Sequence, residues 1–157
     1  SKSGLFAHFR SKESLQLEVL GQARAEFIDT VVRPTLGTPR GEPRVKELFE
    51  RWLDCVTYRM PGGCLFVKAA TELDTQPGPV RDQLVRDHRD LYDTIAQIFR
   101  TGVAEGHFRA DADPDQFAVD LDGVMLAFYH SHRLLEDPKA GSRARYAFEA
   151  LLTAAQR

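Results

Sequence analysis

The chain has 157 residues, 43% of them hydrophobic, 28% charged and 10% aromatic, with 21 Lys and Arg against 23 Asp and Glu. This is an ordinary globular composition that excludes a disordered or collagen-like chain, and the length allows roughly two thirds of the unfolded surface to be buried around one core. No apolar run approaches the roughly 20 residues of a membrane span, and no charged-then-apolar leader opens the sequence, so the expected location is cytoplasmic. Cys55 and Cys64 lack CxxC spacing and sit among apolar neighbours. They read as small buried hydrophobes with free thiols rather than a disulfide or a metal site.

The first twelve residues, SKSGLFAHFRSK, carry Lys2, Arg10 and Lys12 and no acid. The rest of the chain is therefore net acidic, by about five charges. Leu5 and Phe9 stand four apart and share one face of a helix, leaving Lys2, Ser3, Phe6 and His8 nearer the other. Two readings fit these charges, a face laid against phosphates and a frayed end whose charges are merely solvated. Ser11 can cap a second helix on which Leu15, Val19, Leu20, Ala23, Phe27 and Val31 recur at three and four residues, until Pro34 stops it. Its amino end offers N–H groups and a positive dipole to a phosphate, and simple capping explains Ser11 equally well.

SKSGLFAHFRSKESL resembles the end of the DNA-binding domain of TetR-family transcriptional regulators. The pattern is Ser1, Lys2, small Ser3 and Gly4, Leu5, aromatic Phe6, Ala7, His8, Phe9, then Ser11, Lys12, Glu13 and Leu15. The resemblance implies a recognition helix of a helix-turn-helix. Ser11, Lys12 and His8 would hold phosphates, Ser1, Lys2 and Ser3 would lie closest to base edges, and Gly4 would permit close approach. Phe6 stands where the family most often has Tyr, which keeps the packing and removes a phenol contact to phosphate. Residue 1 falls inside the motif, so the two helices that precede a recognition helix are expected upstream in a longer natural protein.

Thr35 to Glu42 reads as a loop, with Pro43 placed to open the next helix. This loop reads as the hinge between two modules, 1–33 and 43–157, which the resemblance implies are the end of the DNA-binding domain with a connecting helix and a helical effector-binding and dimerisation domain. Val45, Leu48, Phe49, Trp52, Leu53, Val56 and Met60 form one broad stripe, which Pro61-Gly62-Gly63 ends. CLFVKAATEL, from Cys64 to Leu73, is apolar nearly all round and is expected to be buried, with Lys68 and Glu72 pairing at i,i+4. After Pro77-Gly78-Pro79 comes a long helix with Val80, Leu84, His88, Leu91, Ile95, Ile98 and Phe99 on one face, closing between Gly102 and Gly106. Asp113-Pro114 is a cap with a first-turn proline, and Phe117, Leu121, Val124, Met125, Phe128, His132 and Leu135 line the helix that follows. The last helix carries Ala144, Phe148, Leu151, Leu152 and Ala155.

No strand-like alternation appears, so the fold class is all-α, with about seven helices. Val119, Leu126 and Tyr129, with Tyr146 and Ala147, widen the apolar faces of the last two helices, which suits either a partner surface or a larger monomer core. The resemblance implies the former, a homodimer through Asp115–Leu135 and Ser142–Ala155, with two-fold symmetry matching a palindromic operator.

It also implies that the C-terminal part binds a small-molecule effector between its central helices, and GGCLFVKAATELDTQPGPVRD is similar to one subgroup of such domains. Trp52, Val56, Met60, Phe66, Leu91, Tyr92, Phe128 and Tyr129 are the candidate lining, with Cys55, His88 and His132 as polar or polarisable points. Such a pocket suits an apolar or aromatic molecule. The same residues also read as plain core.

No motif of an enzyme is present. There is no Glu with His three residues on, no HExxH, P-loop, GxSxG or GxGxxG, and His130 and His132 point apart on a helix. Neither a catalytic residue, a metal nor a cofactor is expected. The reading is a DNA-binding transcriptional regulator, a repressor, whose partners are operator DNA and the effector. The alternatives are a stand-alone helical small-molecule-binding protein, a small helical enzyme acting through His88 or His132, and an interaction module without a cavity.

Overall fold

The computed structural model describes Gly4 and residues 11–156, and among these there is no strand. The helices are α1 (Lys12–Phe27), α2 (Arg33–Leu36), α3 (Glu42–Asp54), α4 (Leu65–Leu73), α5 (Pro79–Ala104), α6 (Pro114–Arg133) and α7 (Ala140–Gln156), with π-helical turns at Ile28–Val32 and Cys55–Arg59. None of the described helices is long and apolar enough to cross a membrane.

Ser11 caps α1 as its side chain suggests, accepting from the Ser14 N–H at 3.1 Å. Pro34 does not stop the rod, because the π turn just ahead of it shifts the hydrogen-bond register. Arg33 donates to the Ile28 carbonyl, and the chain runs on helically to Leu36 despite the missing proline N–H. The inward face also differs from the expected stripe. Val19 is exposed, whereas Leu17, Leu20, Phe27 and Val31 pack inward.

The core lies where α3, α5, α6 and α7 meet. Phe99 is stacked between Phe108 and Phe117, with ring centroids 4.5 and 4.2 Å apart, while Phe49 of α3 stacks on Phe148 of α7 at 4.1 Å. Gly102 makes the first stack possible: a Cβ there would stand 2.2 Å from the Phe108 ring. Arg145 clamps Glu50 with Nε and Nη2 at 2.8 and 2.7 Å, tying α7 to α3 at the surface. Asp113 caps α6 through the Asp115 and Gln116 N–H groups, with Pro114 in the first turn. That helix ends at Arg133, so Leu134 and Leu135 lie beyond it and are exposed.

The helix expected to be buried is not. No residue of α4 is buried, and Lys68 donates to the Gly62 carbonyl rather than pairing with Glu72. The physical reason is what the helix covers, which is a void.

Candidate functional site

A cavity of about 490 Å³ lies between α1 with its π turn, α3, α4, α5 and α6. That size falls in the range of small-molecule sites. Phe66, Val67, Ala70 and Thr71 reach it from α4, which explains how an apolar helix keeps every side chain partly accessible.

Of the candidate lining residues, the structure brings Trp52, Val56, Phe66, His88, Leu91 and Tyr129 to the wall. Phe27 joins them, its ring edge-on to Trp52 at 5.7 Å. The other five stand elsewhere. Cys55 is buried beside Thr30, Met60 packs on the core, and Phe128 is buried with His132 stacked on it at 5.3 Å. Tyr92 stands behind the wall and donates its hydroxyl to Asp122 Oδ2 at 2.8 Å. Burial first, and that carboxylate second, push the Tyr92 phenol up to about 12.

Burial also raises the thiols of Cys55 and of Cys64, the latter in the wall, so both stay protonated and unreactive at neutral pH. Neither is in a disulfide. Among the described residues no group of His, Cys, Asp and Glu is placed to hold a metal ion.

The wall also contains polar residues that apolar periodicity passes over: Arg24, Asp87, Asp90 and Asp122. Arg24 of α1 reaches Asp90 Oδ2 at 2.6 Å and Asp87 Oδ1 at 3.5 Å. Gln83 donates to the same Asp87 Oδ1 at 2.8 Å. Asp87 Oδ2 is buried with no hydrogen-bond partner among the described residues. His88 holds the Leu84 carbonyl through Nδ1 at 2.8 Å, so Nδ1 carries the proton and Nε2 is an acceptor in the neutral ring. A signal for these residues does exist. Arg24 lies between Leu20 and Phe27, Asp87 between Leu84 and Leu91, and Asp122 between Ala118 and Met125, always at four and three residues, so each charge interrupts an inward stripe.

Of the residues expected at DNA, Ser1, Lys2, Ser3, Phe6 and His8 lie outside the described residues, while Gly4, Ser11 and Lys12 are exposed. On the last two long helices Val119, Leu126 and Tyr146 are exposed at 48%, 45% and 81%, and Leu126 also borders the cavity.

The family description "Tetracyclin repressor-like, C-terminal domain" matches residues 41–148. Solved structures share the fold. A TetR-family transcriptional regulator from Streptomyces coelicolor superimposes with a TM-score of 0.82 at 19% identity, over 100% of this chain and 79% of that one. A TetR transcriptional regulator from Chloroflexus aurantiacus gives 0.81 at 23% identity, covering 94% and 74%. AibR, in complex with isovaleryl coenzyme A and operator DNA, gives 0.70 at 20% identity, covering 92% and 78%. No curated protein matches the sequence.

Proposed function

Since the chain belongs to the TetR family of transcriptional regulators, we propose that it is a cytoplasmic, homodimeric repressor whose hold on operator DNA is set by a small molecule in the α1–α6 cavity. The observation that carries this reading is shared structure. The rod that begins at Ser11 and Lys12 also supplies Arg24, Phe27, Ile28 and Val32 to the cavity wall. A ligand there presses on the element that joins residues 1–33, the reading end, to residues 43–157, the effector-binding and dimerisation part.

Ligand binding releases DNA only if the ligand prefers an arrangement of α1 that the operator does not, and operator DNA must then weaken ligand binding by the same factor. Ser11, Lys12 and His8 act on phosphates in this reading, and Ser1, Lys2 and Ser3 act near base edges. Val119, Leu126 and Tyr146 form the apolar part of the dimer face on α6 and α7. The apolar and aromatic wall around Trp52, Phe66 and Leu91 receives the body of the effector. No chemical step is assigned to the site.

The test is retardation of DNA from the gene's own upstream region by the full-length protein. Binding that weakens with salt and with ligand supports the reading. No retardation down to low millimolar salt overturns it, and ligand binding that persists without it would instead favour a stand-alone small-molecule-binding protein.

A further inference from the structure

The proposed effector site has an unusual balance of hydrogen-bonding groups. Several of its donors are engaged within the protein. Arg24 is held by Asp90 and Asp87. The Thr71 hydroxyl donates to the Val67 carbonyl at 2.9 Å and the Thr94 hydroxyl to the Asp90 carbonyl at 2.7 Å. His88 Nδ1 is held by the Leu84 carbonyl at 2.8 Å, and the Trp52 indole and the Tyr129 phenol are further ring donors of the wall.

The acceptors are in excess. Asp74, Asp87, Asp90 and Asp122 all border the cavity, with Arg24 the one Lys or Arg among the described lining residues. The Asp87 side chain is only 5% exposed, both of its partners fall on Oδ1, and Oδ2 has none. A buried carboxylate oxygen without a donor is costly, so a ligand that supplies one gains more than an exposed contact would give. A carboxylate or phosphate would meet like charge there.

Building on the ligand-responsive reading above, we propose that the effector is cationic, an apolar or aromatic body bearing a protonated amine or amidinium that pairs with the under-satisfied Asp87 carboxylate, with Asp122 as a second counter-charge. The apolar body lies against Trp52, Phe66 and Leu91, and the cation turns toward the α5 end of the wall. The charge-assisted contact sets specificity and the rings supply burial.

Trp52 is the one tryptophan in the chain and lies in the wall, so its fluorescence reports occupancy without DNA. Full-length protein is titrated with three probes of one shape: naphthylmethylamine, naphthylmethanol and naphthoic acid. The amine is expected to bind at least about tenfold more tightly than the other two. Asp87→Asn should weaken the amine by about tenfold and the uncharged alcohol much less, and the retained alcohol binding also shows that the variant folds. Asp122→Asn should weaken the amine less.

Equal binding of the three probes, preference for the acid, binding of none, or an unchanged amine affinity in Asp87→Asn overturns the proposal, the last by making Asp87 a structural group only. Failure to retard DNA would count against the regulator reading and leave the probe ranking untouched.

Discussion

Arg24 and Asp87 meet at 3.5 Å across the edge of the cavity, each from a helix position where the spacing calls for an apolar side chain. Arg24 is 42% exposed at its side chain and Asp87 5%, so the pair is half solvated and solvent screens it. A double-mutant cycle with Arg24→Met and Asp87→Asn, read by urea unfolding, is expected to give a coupling of about 1 kcal/mol. Arg24→Met alone should cost more than Asp87→Asn alone, because it strips a buried carboxylate of its cation while the amide substitution removes the charge that needed one. The opposite order would mean that the Gln83 contact, not the cation, holds Asp87.

Much of the architecture can be read from apolar spacing, because α3, α5 and α7 each bury one continuous stripe. Phe49, Ile95, Phe99 and Phe148 are where periodicity places them. What escapes is of two kinds. The length of α1 with its continuation depends on a π turn that compensates Pro34, and nothing in residue type announces that shift. The site's polar wall depends on a pair 63 positions apart in sequence, and a search for apolar faces discards its members one by one. α4 shows the same limit from the other side. Its composition says buried, but burial requires atoms opposite, and a cavity stands there instead.

Phe99 is 1% exposed and stacked on two rings, so Phe99→Ala should destabilise the fold by about 3–5 kcal/mol. Gly102→Ala drives a Cβ into the Phe108 ring and should cost about 1–3 kcal/mol by overpacking. Both sites are away from the cavity wall. Chemical denaturation should therefore shift for both variants, while the ligand affinity of the folded fraction, followed by Trp52 fluorescence, stays the same.

Tyr92 links burial to pH. Its phenol is raised to about 12 in the folded chain against an ordinary value near 10. The unfolded chain therefore releases this proton first as pH rises. The stabilisation is fully present below pH 10 and is lost progressively as pH climbs toward 12. Thermal melts across that window should fall more steeply for the natural chain than for Tyr92→Phe, which has no proton to lose. Parallel slopes would remove Tyr92 as the cause and with it the importance of the Asp122 contact.

Tyr146 separates the proposed dimer from the monomer core. Its ring is 81% exposed on α7, and Val119 and Leu126 are half exposed on the neighbouring α6. Placing a charge at a position with so little burial should leave the intrinsic stability of one chain within about 0.5 kcal/mol. If the α6–α7 face joins two copies, the same charge is forced into an apolar interface and must be desolvated. Tyr146→Glu is thus expected to shift the mass measured by light scattering from two chains toward one, with far-ultraviolet circular dichroism unchanged. DNA retardation should weaken alongside, since a monomer engages only one half-site. A variant that keeps the mass of two chains would move the interface away from α7, and one that loses helicity would return Tyr146 to the monomer fold.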